Sequence, residues 1–252
     1  MLDINERSMG GTATLAEARR TMEICNACRY CEGFCPVFPA MERHRSFSDG
    51  DLGYLANLCH NCKGCFHACQ YAPPHEWGLN LPRAFAELRA ETYTEHAWPR
   101  GLARLFERNG LKVSLATAFS LAVVMILTML LADAATLTST HSGPGAFYAV
   151  IPWGVMAALA GLSFGWAVLA MAMGARSFWR ASGGGAISRA ALMAALRDAG
   201  RTHHLGGGGD GCNDVDERFA VGRRHFHLAT MWGFLLCFAA KTAGIEYHSI
   251  GR

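Results

Sequence analysis

Two cysteine runs with the same internal spacing constrain this chain more than any other feature of its sequence. The first run is Cys25, Cys28, Cys31 and Cys35, followed by Pro36, and the second is Cys59, Cys62, Cys65 and Cys69. Each run places two, two and then three residues between successive cysteines, a spacing typical of cysteines that bind [4Fe–4S] clusters. Any fold of this chain must therefore bring two sets of four thiols together.

The same spacing predicts which cysteines share a cluster. In two-cluster ferredoxins the first three cysteines of a run bind one cluster and the fourth binds the other. One predicted set is Cys25, Cys28, Cys31 and Cys69, and the second is Cys59, Cys62, Cys65 and Cys35. Structural zinc has no use for a third thiolate in each run. A disulfide framework needs an oxidising compartment, which nothing in the sequence indicates.

Composition indicates that the later part of the chain is a membrane domain. Of 252 residues, 51% are hydrophobic and 17% are charged, and the net charge of +3 is too small to indicate binding to nucleic acid. The runs 113–132, 147–174 and 228–247 are long enough to span a bilayer core of about 30 Å. We predict a cluster domain over 1–112 and a transmembrane domain in contact with lipid over 113–252.

Local signals predict that the cluster domain is built from helices. Residues 15–24 form a candidate helix, capped by Thr12 or Thr14. Between the cysteine runs, Ser48 or Asp49 can cap a second helix. Its apolar face would consist of Leu52, Leu55 and Leu58. The predicted fold class is therefore mainly α, with a helical two-cluster head followed by three transmembrane helices.

Basic residues predict the orientation of the spans. Residues 82–98 are typical of a polar helix, and 99–112 of a basic amphipathic helix lying at a membrane surface. Arginine recurs between the second and third spans, whereas 133–146 contain neither Lys nor Arg. By the positive-inside rule, the cluster domain lies on the cytoplasmic side of a bacterial inner membrane. Free thiolates agree with that reducing compartment.

Histidines at the ends of the third span are candidate haem ligands, because haem iron is commonly held by histidine. His227 precedes the span and His248 follows it. On one helix they would lie about 31 Å apart, too far to bind one iron together. Each would need a further partner. Haem b is therefore a candidate cofactor, with His227 and His248 as its candidate ligands.

The sequence offers no substrate site of its own. The glycine-rich stretch from Gly206 to Asp214, which contains Cys212, lacks the Lys-Ser/Thr ending of a phosphate-binding P-loop. We interpret it as a tight cytoplasmic loop and a candidate docking surface. Paired carboxylates, a nucleophile–base set and a dinucleotide-binding loop do not stand out either. The pattern favours an electron-transfer subunit whose partner holds the substrate.

Three stretches carry a resemblance to a known family. They are 59–76 around the second cysteine run, the glycine-rich 206–214, and 233–240, which follows Arg223-Arg-His-Phe-His227. All are similar to motifs of the tricarballylate utilisation protein B family, also called CitB, and they occur in the family's order. The head also resembles the α-helical ferredoxin module of succinate dehydrogenase iron–sulfur subunits. The resemblance implies a hydrophobic half similar to the membrane subunit of respiratory nitrate reductase.

The resemblance also implies a function. Family members reoxidise the reduced flavin of an FAD-dependent tricarballylate dehydrogenase and pass electrons through two [4Fe–4S] clusters toward quinone. A related protein of cobalamin synthesis carries haem b, which implies the same candidate cofactor here. Two alternatives stay open: the redox half of an oxygen-dependent precorrin hydroxylase system, and a membrane iron–sulfur redox sensor. Family members continue past the third span, whereas this sequence ends at Arg252.

Overall fold

The computed structural model of the protein describes residues 12–102, 110–143, 145–207, 211–213 and 216–250, without the side chains of Phe147 and 245–250. These ranges are mainly helical and contain no β-strand, apart from an isolated bridge between Cys212 and Ala220. The predicted mainly α fold class is confirmed. The helices are α1 (Ala13–Cys28), α2 (Val37–Met41), α3 (Asp49–Leu58), α4 (Gly64–His67), α5 (Leu81–His96), α6 (Leu111–Leu131), α7 (Ala134–Thr138), α8 (Trp153–Ala181), α9 (Arg189–Gly200) and α10 (Gly222–Ile250), with 3-10 turns at Ala146–Ala149 and His203–Gly206.

Side-chain caps begin the two helices that lead into the cysteine runs. The Thr12 hydroxyl accepts a hydrogen bond from the Leu15 N–H at 3.2 Å, so Thr12 and not Thr14 is the cap of α1. At α3, Ser48 and Asp51 form a capping box in which each side chain accepts from the other's backbone N–H. Such caps satisfy N–H groups that have no partner inside the helix. Helix α1 continues past the predicted residue 24 and includes Cys25 and Cys28.

The core of the cluster-bearing part is made by apolar side chains from α1, α2, α3 and α5. Its fully buried members are Met22, Phe38, Met41, Leu52, Leu55 and Phe85. Cys25, Cys31, Cys35 and Cys65 pack against this core from its edge. Burial of each large apolar side chain contributes about 1.5–3 kcal/mol. The same packing that stabilises the helices therefore holds the cysteines in place.

The chain divides into two compact units. One unit contains Met1–Ala90 together with Ser182–Arg252, and the other contains Glu91–Ala181. The cysteine runs and α10 belong to the first unit, and α6 and α8 belong to the second. The predicted functional division into 1–112 and 113–252 stays a prediction. Half of the basic amphipathic helix predicted over 99–112, residues 103–109, lies outside the described residues.

Three helices are long and apolar enough to cross a membrane. They are Leu111–Leu131, Trp153–Ala181 and Gly222–Gly244, with mean hydropathies of 2.3, 1.9 and 1.2 over their most apolar windows. Their number agrees with the sequence prediction, but the second helix begins at residue 153 and not at 147. Proline has no backbone N–H and is favoured near a helix start, and Pro152 directly precedes Trp153. By length and composition, the helices are consistent with membrane association.

Two candidate cluster sites

Four cysteines line one cavity. They come from the last turn of α1, from the loop that follows α1 and from the loop that follows α4. These are Cys25, Cys28, Cys31 and Cys69. Arg29, the C-cap of α1, has a left-handed backbone with φ of 55°, which ends the helix and turns the chain toward Cys31. The Gln70 side-chain amide donates a hydrogen bond to Cys28 Sγ at 3.6 Å. We call these four residues the first cysteine set.

A second cavity is lined by Cys35, Cys59, Cys62 and Cys65. Cys59 is the C-cap of α3, and Cys65 lies in α4. Between them Asn61 and Lys63 both have left-handed backbones, with φ of 54° and 60°. We call these four residues the second cysteine set. The structure thus brings together three cysteines of one run with the fourth cysteine of the other at both sites, while their assignment as cluster ligands stays a prediction.

The two sets are neighbours. Cys31 Sγ of the first set lies 4.0 Å from the carbonyl oxygen of Cys65 in the second set. Burial is the main cause that raises the pKa of the Cys65 thiol, and ionised Cys31 is among the charges that add to this rise. An electron placed on one set would therefore have only a short distance to cross to the other.

Burial raises the pKa of the Cys25 and Cys35 thiols, which makes both hard to ionise without a cation. It raises the pKa of Cys25 to about 12, and repulsion from ionised Cys69, Cys31 and Cys28 adds to the rise. It raises the pKa of Cys35 to about 12 as well, although N–H bonds from Val37 and Phe38 act in the opposite direction. Metal ions bind the thiolate and displace its proton. Four clustered, largely half-buried thiols are consistent with a site whose charge is balanced by metal.

Each cysteine set can be compared with the ligands that a single metal ion requires. Among the described residues, no three or more His, Cys, Asp or Glu side chains are placed to hold one metal ion. A zinc ion would draw four sulfurs to about 2.3 Å from one centre. Four cysteines line each cavity instead. Four thiols are the ligand set of a [4Fe–4S] cluster, so the residues present fit that group.

A segment far away in the sequence lies against the second cysteine set. His204 lines the same cavity, and the Asn213 N–H donates to the Cys62 carbonyl oxygen at 2.7 Å. The Arg223 guanidinium donates to the carbonyl oxygens of His60 and Asn61. The sequence predicted a tight cytoplasmic loop and candidate docking surface at 206–214. It had no signal for these contacts, because any residue's backbone carbonyl can accept them.

The candidate haem ligands are not brought together. His227 and His248 both lie on the continuous helix α10, 21 residues apart in sequence, which corresponds to about 31 Å along its axis. The His227 side chain is exposed, and the His248 side chain is outside the described parts of the chain. Ligation of haem b by either residue stays a prediction.

Comparison with known proteins covers nearly the whole chain. Residues 18–95 match the family described as Citrate utilization protein B Fer4-like domain, and 104–252 match the family described as Citrate utilization protein B. A protein from Escherichia coli named Citrate utilization protein B is 44% identical over 236 residues, covering 92% of this chain. The alignment covers 61% of that relative, so the chain spans about three fifths of its length. No solved structure matches the chain.

Proposed function

The chain belongs to the citrate utilization protein B family, and from this membership we propose that it is a membrane-bound electron-transfer protein with two [4Fe–4S] clusters. The observation that carries the proposal is the pair of adjacent cavities, each lined by four cysteines. Bound clusters would supply one-electron redox chemistry. The cysteines would hold them, and the Asn61 N–H and Gln70 amide would donate hydrogen bonds to ligand sulfurs.

The electron donor we propose is the reduced flavin of an FAD-dependent dehydrogenase that acts on tricarballylate or a related tricarboxylate. The name of the Escherichia coli relative supports this substrate class, since citrate is a tricarboxylate. The acceptor we propose is a membrane quinone, because three helices of the chain are long and apolar enough to lie where quinones dissolve. Haem b remains a candidate intermediate carrier.

Electron transfer between purified components tests this proposal. The detergent-solubilised protein alone should oxidise no tricarboxylate. Mixed with a reduced FAD-dependent tricarballylate dehydrogenase, it should reoxidise the flavin and reduce a soluble quinone analogue, because the clusters connect donor and acceptor. The measurement is quinone-analogue absorbance against time, with the dehydrogenase alone as control. A rate of quinone-analogue reduction equal to that of the dehydrogenase alone would overturn the proposal and favour a membrane iron–sulfur redox sensor.

For orientation, we propose that both cysteine sets lie on the cytoplasmic side of the inner membrane. Residues 133–146 contain no Lys or Arg, whereas Arg176 and Arg180 lie in the last turns of α8 and further arginines follow. Positively charged residues near the ends of spans favour the cytoplasmic side. The polar segment at Ser139 would then face outward, and Ser182 would face the cytoplasm.

Cysteine labelling measures this orientation. In a Cys237→Ser background, a membrane-impermeant maleimide should label Ser139→Cys in intact spheroplasts. Ser182→Cys should react only after the membrane is permeabilised, because the reagent cannot cross the bilayer. Equal labelling of both before and after permeabilisation would indicate leaky spheroplasts, so a cytoplasmic marker protein serves as control. The reverse pattern would overturn the orientation.

A further inference from the structure

We propose that electrons leave the protein from the second cysteine set, and that the described residues of 202–224 are the reason. We call these residues the clasp. Within the clasp, Arg223 is the positioning residue that raises the reduction potential of the second cluster. The inference rests on the proposed function, because it presupposes a cluster at each set. Electrons would pass singly from a reduced flavin to the first cluster, then to the second. Two such transfers, with two protons from water, would convert a quinone to a quinol.

The first observation is that the clasp and α5 hold a short loop by its backbone. Each of the four successive carbonyl oxygens in Cys59–Cys62 accepts a hydrogen bond from outside the loop. The bonds run from Arg89 to Cys59, from Arg223 Nη2 to His60 at 2.9 Å, from Arg223 Nη1 to Asn61 at 3.2 Å, and from the Asn213 N–H to Cys62 at 2.7 Å. Three of the four donors therefore come from the clasp.

The second observation concerns the amides on the other side of that loop. In a trans peptide the C=O and the following N–H point in opposite directions. Carbonyls that are bound from outside therefore turn the loop's N–H groups toward the sulfurs. The Asn61 N–H lies 3.5 Å from Cys59 Sγ and donates to it. Reduction adds a negative charge to the cluster, and hydrogen bonds to sulfur and nearby cations stabilise that charge.

The clasp also covers the second set. Asn213 is only 1% exposed, and an added Cβ at Gly64 would lie 3.3 Å from Asn213 Oδ1. Gly207 also lies close to the second set, because a Cβ added there would meet Cys62 Sγ at 3.7 Å. Exclusion of water alone would lower the cluster potential, since it disfavours added charge. The guanidinium and amide donors raise the cluster potential, and we expect their effect to exceed that of water exclusion.

The first cysteine set has no loop held in this way among the described residues, although Arg29 lines its cavity. Cys25 and Cys28 lie in α1, where backbone N–H groups are already bonded within the helix. The donor described at its sulfurs is the neutral Gln70 side chain at 3.6 Å.

The position of Arg223 connects the second set with the membrane part. Arg223 is the second residue of α10, whose Gly222–Gly244 portion is one of the three candidate spans. The same side chain therefore fixes the start of this helix on the Cys59–Cys62 loop. An electron on the second cluster is next to the end of a candidate membrane helix. This is the reason to assign the exit to the second set and the entry to the first.

The test is a redox titration of the full-length protein followed by electron paramagnetic resonance. In Arg223→Gln, the reduction equilibrium constant of one cluster should fall about tenfold, a shift of ~59 mV to lower potential for a one-electron couple. The other cluster should keep its potential. Arg89→Gln should move the same signal, and it keeps the test decisive if Arg223→Gln does not assemble. Arg218→Gln, an exposed arginine of the clasp, controls for loss of one positive charge and should move neither signal.

The signals are assigned with Cys31→Ser, which removes a ligand of the first set. The signal moved by Arg223→Gln must be the one that survives in Cys31→Ser. If Arg223→Gln and Arg89→Gln carry the parental iron content and neither signal moves, or if the first-set signal moves, the clasp inference fails while the proposed function stands. Absence of iron from the parent protein would instead overturn both.

Discussion

A Cys31→Ser variant is expected to lose electron transfer from the reduced flavoprotein to the quinone analogue. The change removes one of the four thiolates of the first set, on the side where Cys31 Sγ approaches Cys65 at 4.0 Å. Changes in residues that merely support a metal ligand already cost roughly 10–100-fold in affinity or activity. Loss of the ligand itself should therefore lower the transfer rate by more than about 100-fold. The flavoprotein's turnover with an artificial acceptor should not change.

Iron and sulfide content separates this outcome from general damage. The parent should contain about eight of each per chain, as expected for two four-iron clusters, and Cys31→Ser about four. Cys237→Ser is the matched control, because Cys237 is an exposed cysteine on α10 outside both sets. It should keep the parental content and rate. Unaltered electron transfer in a Cys31→Ser protein that has lost half its iron would remove the clusters from the path.

Phe85→Ala is expected to destabilise the cluster-bearing unit by about 3–5 kcal/mol, the usual cost of replacing a buried phenylalanine with alanine. Phe85 is 0% exposed and lies in the core against which four of the cluster-set cysteines pack. Whole domains are stable by only about 5–15 kcal/mol. The cavity should therefore loosen the cysteines as well as the helices. The midpoint of urea unfolding, followed by far-ultraviolet circular dichroism, should fall clearly.

A second aromatic residue of α5 provides the control for this change. Tyr93 is 65% exposed, so Tyr93→Ala should alter stability by no more than about 0.5 kcal/mol. Phe85→Leu should fall between the two, because it keeps most of the buried apolar volume. Equal urea midpoints for Phe85→Ala and Tyr93→Ala would mean that Phe85 does not support the core.

Several features of this protein follow from the sequence alone, because the signals are local. The cysteine spacing predicts which thiols could share a site, since three closely spaced cysteines can surround one cavity. Ser48 or Asp49 is the predicted cap of α3, and the structure selects Ser48. Long apolar runs predict the three candidate spans, because a bilayer core requires about 20 apolar residues per helix. Each signal depends on neighbours within one segment.

Only the tertiary structure decided how the two cysteine sets differ. Their spacing is the same, yet Cys25 and Cys28 lie in a helix, whereas Cys59 and Cys62 frame a loop whose carbonyls are held from outside. The contact between Arg223 and Asn61 joins residues 162 positions apart. A backbone carbonyl accepts such a bond whatever side chain its residue carries, so the acceptor leaves no mark in the sequence. The folded chain is needed to bring that arginine to the loop.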